Sequence, residues 1–170
     1  MISSKCEKVK VSVEEHIATV LIDNPSANTW DRESLPALKQ VVEQLNSDPD
    51  VFALVLTGAG KKFFSAGADL NQFASGNADV AREVSNAFGD AFESLADFGG
   101  VSIAAINGFA MGGGLEVALA CDIRIAEKQA LLALPEARVG LLPCAGGTQR
   151  LSQLVGEGWA KRIILCGERI

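Results

Sequence analysis

Histidine occurs once in the 170 residues, tyrosine not at all, and the four cysteines form no C-x-x-C pair. A metal cage built from His and Cys is therefore short of ligands. A Ser–His–Asp triad would have only His16 to draw on, and no G-x-S-x-G elbow is present. Cys6, Cys121, Cys144 and Cys166 are dispersed, which fits small thiols in a reducing compartment better than a disulfide frame. No run approaches the ~18 apolar residues of a membrane span. The opening MISSKCEKVKV lacks the apolar core of a signal peptide. Fifteen basic against 21 acidic residues leave a net charge of −6, which argues against a nucleic-acid footprint. These absences predict a soluble, cytoplasmic, single-domain protein without metal, nucleic-acid partner or membrane.

Two glycine-rich stretches fail as phosphate cradles. Gly58-Ala59-Gly60-Lys61-Lys62 follows an apolar run, but a P-loop needs glycine where Val55 stands and Ser or Thr where Lys62 stands. Around Gly108–Gly114 the order G-F-A-M-G-G-G lacks the G-x-G-x-x-G spacing of a dinucleotide site.

What is present alternates strands with helices. Lys8–Val13 and Ile17–Asp23 alternate apolar and polar residues across Glu14-Glu15, which predicts a β-hairpin, with His16 a solvent-facing strand residue. Leu35, Leu38, Val41, Val42 and Leu45 mark an amphipathic helix, and Val80, Val84, Phe88, Phe92 and Leu95 a longer one over Asn77–Phe98. Val51–Leu56 and Val101–Ile106 read as strands; the unbroken apolar run of the first predicts a sheet covered on both faces. Asp122–Ala126 and Ala130–Ala133 add two more strands. Helices are expected at Gln149–Val155, capped by Thr148, and at Glu157–Leu165. The pattern is that of an α/β layer fold.

Two stretches carry chemistry. In Ile103–Asp122 a strand meets Asn107-Gly108, then Gly112–Gly114 open a helix that brings Glu116 into its first turn. A helix N-terminus offers unpaired amides and partial positive charge, and glycine lets a ligand atom approach the backbone. That layout suits a developing oxyanion beside a titratable carboxyl. In Phe63–Leu70, small residues follow two aromatics: either backbone exposed at a pocket floor, or a plain strand-to-helix turn capped by Asp69. A second carboxylate, Glu136, lies in the apolar loop Leu134–Gly140. If Glu116 and Glu136 converge, desolvation and repulsion raise at least one pKa and the pair can exchange a proton with a substrate. If they do not, Glu116 is a dipole-stabilised helix residue and Glu136 a solvated loop charge.

FSAGADL, IAAINGFAMGGGLEVALACD, LPEARVGLLPCAGGTQRL and the final GERI, in this order, resemble the crotonase superfamily, and within it the enoyl-CoA hydratases. The resemblance runs from the N-terminal hairpin to Ile170. It implies a spiral of ββα units, an acyl-CoA thioester as substrate, and no cofactor, since coenzyme A is part of the substrate. The family's oxyanion-hole amides map onto Ala68 and Gly113, which settles the Phe63–Leu70 alternative toward a pocket floor. The two catalytic glutamates map onto Glu116, activating water, and Glu136, protonating the α-carbon. Ala66, Ala68, Asp69, Leu70, Asn71, Gly112 and Gly113 are expected to line the substrate channel, and Lys61 and Lys62 to reach the CoA phosphates. The implied reaction is reversible syn addition of water to trans-2-enoyl-CoA, in a homotrimer or hexamer.

Gly100-Val101 stands where many relatives have Lys-Pro, and Cys144 where glycine or alanine is common. The family domain also continues well beyond the GERI segment with helices that complete the acyl pocket. Residues 1–170 are therefore expected to form a crotonase-like catalytic core lacking that C-terminal segment. Three alternatives follow: an enoyl-CoA isomerase, a non-catalytic acyl-CoA-binding fragment, or the hydratase region of a multifunctional fatty-acid oxidation protein.

Overall fold

The computed structural model describes residues 2–170. The chain repeats one supersecondary unit: a strand in a large sheet, a second strand, and a helix that closes the turn of the spiral. The large sheet has five strands in the order β1 (Val9–Glu14), β2 (Ile17–Ile22), β3 (Ala53–Gly58), β5 (Val101–Ile106) and β7 (Ile123–Ala126). β1 and β2 are the expected antiparallel hairpin, in register from Val9 opposite Ile22 to Glu14 opposite Ile17. Every later pairing in this sheet is parallel. A small parallel sheet carries the second strand of each later unit, β4 (Phe63–Ser65), β6 (Phe109–Met111) and β8 (Leu132–Ala133). The helices are α1 (Ser34–Asn46), α2 (Ala78–Ala96), α3 (Gly113–Ala120) and α4 (Gly147–Leu165). The expected α/β class and ββα spiral are thus what the chain forms.

Apolar spacing explains the helices. The 3–4-residue repeat of α1 and α2 sends Leu35, Leu38, Val41, Val42 and Leu45 from one and Val84, Phe88, Phe92 and Leu95 from the other into a single core. Phe92 meets Trp30 and Phe88 edge-on, with ring centroids 5.8 and 5.5 Å apart. Helix α3 has no polar face: all eight of its residues are buried, Glu116 among them. A helix apolar all round belongs in the interior, and α3 is the one around which the site is built.

Several expectations need correction. β3 begins at Ala53 rather than Val51, and only alternate residues (Leu54, Leu56, Gly58) are buried; the opposite face is partly open. β6 was not foreseen, because three strand residues between an Asn-Gly turn and three glycines are too few to show periodicity. Thr148 is not a cap: its hydroxyl donates to Gln149, and the αL residue Gly146 precedes the helix. Gly156 has non-helical backbone (φ 77°, ψ 164°), which divides α4 at the position separating the two expected helices. His16 lies in the Glu15-His16 turn of the hairpin rather than in a strand; it is exposed, as expected, and stacks on Phe52, with ring centroids 4.4 Å apart. Among the described residues no helix is long and apolar enough to cross a membrane.

Candidate active site

The site forms where β4, β6 and the start of α3 meet. Ser65 ends β4 and the chain turns through Ala66-Gly67-Ala68. The turn is pinned to the segment before α1: the Trp30 amide donates to the Gly67 carbonyl and the Asp69 amide to the Trp30 carbonyl, 2.8 and 3.0 Å. This ladder uses the groups flanking Ala68 and leaves its own amide facing the other way. Gly67 packs so tightly on the start of α3 that a Cβ there would lie 2.6 Å from the Met111 carbonyl oxygen and 3.0 Å from the Gly113 nitrogen. The Gly67 turn is thereby packed against the start of α3, and among the described residues neither the Ala68 nor the Gly113 amide donates to an acceptor. Gly113 is the first residue of a helix, so its N–H has no intrahelical partner.

Beside these amides lies a cavity of about 480 Å³. Ala66, Ala68, Asp69, Leu70, Asn71, Gly112 and Gly113, all expected from the sequence, line it, together with Glu116 and Glu136. Asp69 also caps the 3₁₀ turn Leu70–Phe73, accepting from the Asn71 amide at 3.0 Å. Lys61 and Lys62 do not line the cavity; both are exposed, and Lys62 lies over the Phe63 ring.

The two glutamates reach the cavity from different elements and in different surroundings. Glu116 is 2% exposed. Its Oε1 accepts from the amides of Ala145 and Gly147, at 2.8 and 2.9 Å. Burial pushes its pKa up, while those two amides and the Arg150 charge pull it back. The start of α4 faces the same oxygen, so the helix dipole also favours the anion. Glu136 opens the 3₁₀ turn Glu136–Val139, and its Oε2 is buried without a hydrogen-bond partner. Burial drives its pKa to about 7, with the Glu116 charge adding to the rise. Both carboxyls are thus raised by burial, but Glu116 has two backbone donors and a nearby cation to offset it, and Glu136 has one oxygen unpaired. Gly112 makes room for this pair: its φ is 54°, and a Cβ there would stand 2.9 Å from Glu136 Oε1.

The remaining wall was not read from the sequence. Phe73, Phe88, Val139, Leu141 and Leu142 form its apolar side, and Ser85 and Cys144 a polar spot. Burial and the two glutamate charges raise the Cys144 thiol above its usual range. Phe88 was expected only in the core and serves both roles. The helical repeat of α2 carried the signal for Phe88, but nothing local marks which end of a buried face borders a cavity.

A sequence-family model described as enoyl-CoA hydratase/isomerase matches residues 12–170. The short-chain-enoyl-CoA hydratase of Clostridium acetobutylicum is 41% identical over 158 residues, covering 92% of this chain and 60% of that protein. The crotonyl-CoA hydratase of Syntrophomonas wolfei is 39% identical over 165 residues, 96% of this chain and 64% of that protein. Among solved structures, Pseudomonas aeruginosa DspI superposes with a TM-score of 0.95 at 67% identity, over 97% of this chain and 68% of DspI. The enoyl-CoA hydratase of Bacillus anthracis superposes with a TM-score of 0.92 at 38% identity, over 96% of this chain and 64% of that one. The chain thus spans less than two thirds of the length of the hydratases it matches.

Proposed function

Given that the chain belongs to the enoyl-CoA hydratase/isomerase family, we propose that it is an enoyl-CoA hydratase that adds water reversibly, with syn geometry, to trans-2-enoyl-CoA. The observation that carries this reading is one cavity lined by two residues with free backbone amides and by two carboxyls in unlike surroundings. The thioester oxygen is held by the Ala68 and Gly113 amides, which stabilise the enolate-like charge formed when the β-carbon is attacked. Glu116 takes a proton from the attacking water, and Glu136 gives its proton to the α-carbon. A base must be ionised and an acid protonated at the same pH, and the unlike surroundings of the two groups support this division of labour. Leu70, Phe73, Leu141 and Leu142 offer apolar walls to an acyl chain. The thioester itself acidifies the α-carbon, so the chemistry calls on no metal or redox cofactor.

The same reading places the protein in the cytoplasm and in a homotrimer or hexamer, as the resemblance implies. Exposed Leu154, Trp159 and Leu165 on α4 support burial of that helix in an assembly. Light scattering of the purified chain gives its mass in solution, and a monomer at all concentrations would refute the trimer.

The test of function is decay of the enoyl-thioester absorbance of crotonyl-CoA. Wild type is expected to consume it, and Glu116→Ala and Glu136→Gln to lose about 10²–10⁴-fold in rate while still binding a CoA ester. Full activity in either variant would overturn the assignment.

A further inference from the structure

The geometry points to Arg150 as a positioning residue for the Glu116 carboxylate, acting through the Ala145–Gly147 turn that both side chains grip. This inference rests on the reading of Glu116 as the group that activates water.

Arg150 lies one turn into α4 with its side chain only 20% exposed. Its Nη1 donates to the Ala145 carbonyl at 3.3 Å, and its Nη2 pairs with Glu93 Oε1 on α2 at 2.9 Å. Ala145 is thus held from both sides: its carbonyl faces Arg150, and its amide donates to Glu116 Oε1 at 2.8 Å. Gly147, two residues on, supplies the second donor to the same oxygen. Between them Gly146 has φ 92°, and a Cβ there would overlap the Arg150 guanidinium, so the turn and the arginine are shaped around each other. Released from Arg150, the turn would be free to rotate its peptide groups, and a buried carboxylate that loses its donors is costly. The anchor on Glu93 ties this support to α2, the helix that also contributes Phe88 to the cavity wall.

The charged and titratable groups that face Glu116 are few. Glu136 approaches from its 3₁₀ turn, Cys144 from the loop before α4, and Arg150 from α4 itself. Of these, Arg150 is the cation, and its field opposes the effect of burial on Glu116.

Three variants separate positioning from plain structural support. Arg150→Met keeps the apolar stem and removes both charge and donors, Arg150→Lys keeps the charge, and Glu93→Gln removes the anchor. The first readout needs no activity: carboxyl ¹³C NMR titration of glutamate-labelled protein, with the Glu116 resonance assigned by its loss in Glu116→Gln. The Glu116 pKa is expected to rise by about one unit in Arg150→Met, and by less in Arg150→Lys and Glu93→Gln. The second readout is the pH–rate profile with crotonyl-CoA. The acid limb is expected to move up with the pKa, giving about a tenfold loss of kcat per unit on that limb, recovery at higher pH, and little change in KM. An unshifted Glu116 titration in folded Arg150→Met overturns the inference, as does a kcat loss that is uniform across pH. If Arg150→Met does not fold, unshifted titrations in Arg150→Lys and Glu93→Gln overturn it instead. Should wild type fail to hydrate crotonyl-CoA, the functional reading falls, and the NMR titration still decides the positioning.

Discussion

Glu116, in the first turn of α3, accepts a 2.9 Å hydrogen bond from the amide of Gly147, the first residue of α4. One carboxylate thus belongs to one helix and faces the N-terminus of another, 31 residues later in sequence. Its second donor, Ala145, comes from the same turn. Glu136 has no such support and is raised to about 7, and that contrast is the basis for assigning different roles to the two groups.

The Glu136 contrast predicts a pH signature in stability. Its carboxyl binds a proton more tightly folded than unfolded, because burial raises its pKa from 4.5 to about 7. The folded state therefore binds more protons over that window, and the Glu136 contribution to stability falls as pH climbs through it. Glu136→Gln cannot ionise and escapes that loss. Thermal unfolding of both proteins at pH 4 and pH 8 should show the variant gaining on wild type at the higher pH. An equal difference at both would mean that Glu136 has an ordinary pKa.

Gly112→Ala should damage the site more than the fold. The new Cβ has to accept a positive φ and would lie 2.9 Å from Glu136 Oε1, pushing the carboxyl out of place. Strain at such a position costs about 1–3 kcal/mol. Urea unfolding should report a loss of that order. Crotonyl-CoA hydration by the folded variant should fall much further, since a small displacement of a reacting group is expensive. A variant as active as wild type would show that Glu136 has room to move.

Phe92→Ala removes the ring between Trp30 and Phe88 at the centre of the α2 contact. Phe92 is fully buried. The cavity left behind should cost about 3–5 kcal/mol, read as a lower urea midpoint. A cost under about 1 kcal/mol would mean that the neighbouring rings collapse into the space.

Much of this arrangement was legible beforehand for identifiable reasons. The hairpin, α1 and α2 announce themselves through period-2 and 3.6-residue apolar patterns, and such patterns persist because one face of each element is buried. Asp69 does cap the turn that follows, so the cap reading set aside by the resemblance and the pocket-floor reading hold together. The channel residues Ala66, Ala68 to Asn71 and Gly112 to Gly113 came from family resemblance rather than from spacing, and they do line one cavity. The failures have physical causes too. β6 is three residues long and carries no period, and Thr148 has the side chain of a cap but Gly146, in αL backbone, precedes the helix.

By itself, then, the sequence placed the hairpin, α1, α2 and the helix that opens at Gly112–Gly114, and singled out Glu116 and Glu136 as the candidate carboxyl pair. Whether those glutamates meet was beyond it, since Glu116 and Glu136 sit on elements whose relative placement depends on the spiral closing. The tertiary structure decided that, and it also decided how the two differ. Glu116 is given amides from a distant turn backed by Arg150, and Glu136 is left buried with one oxygen unpaired. A carboxyl's pKa follows from what surrounds it in space, and those surroundings come from residues far apart along the chain.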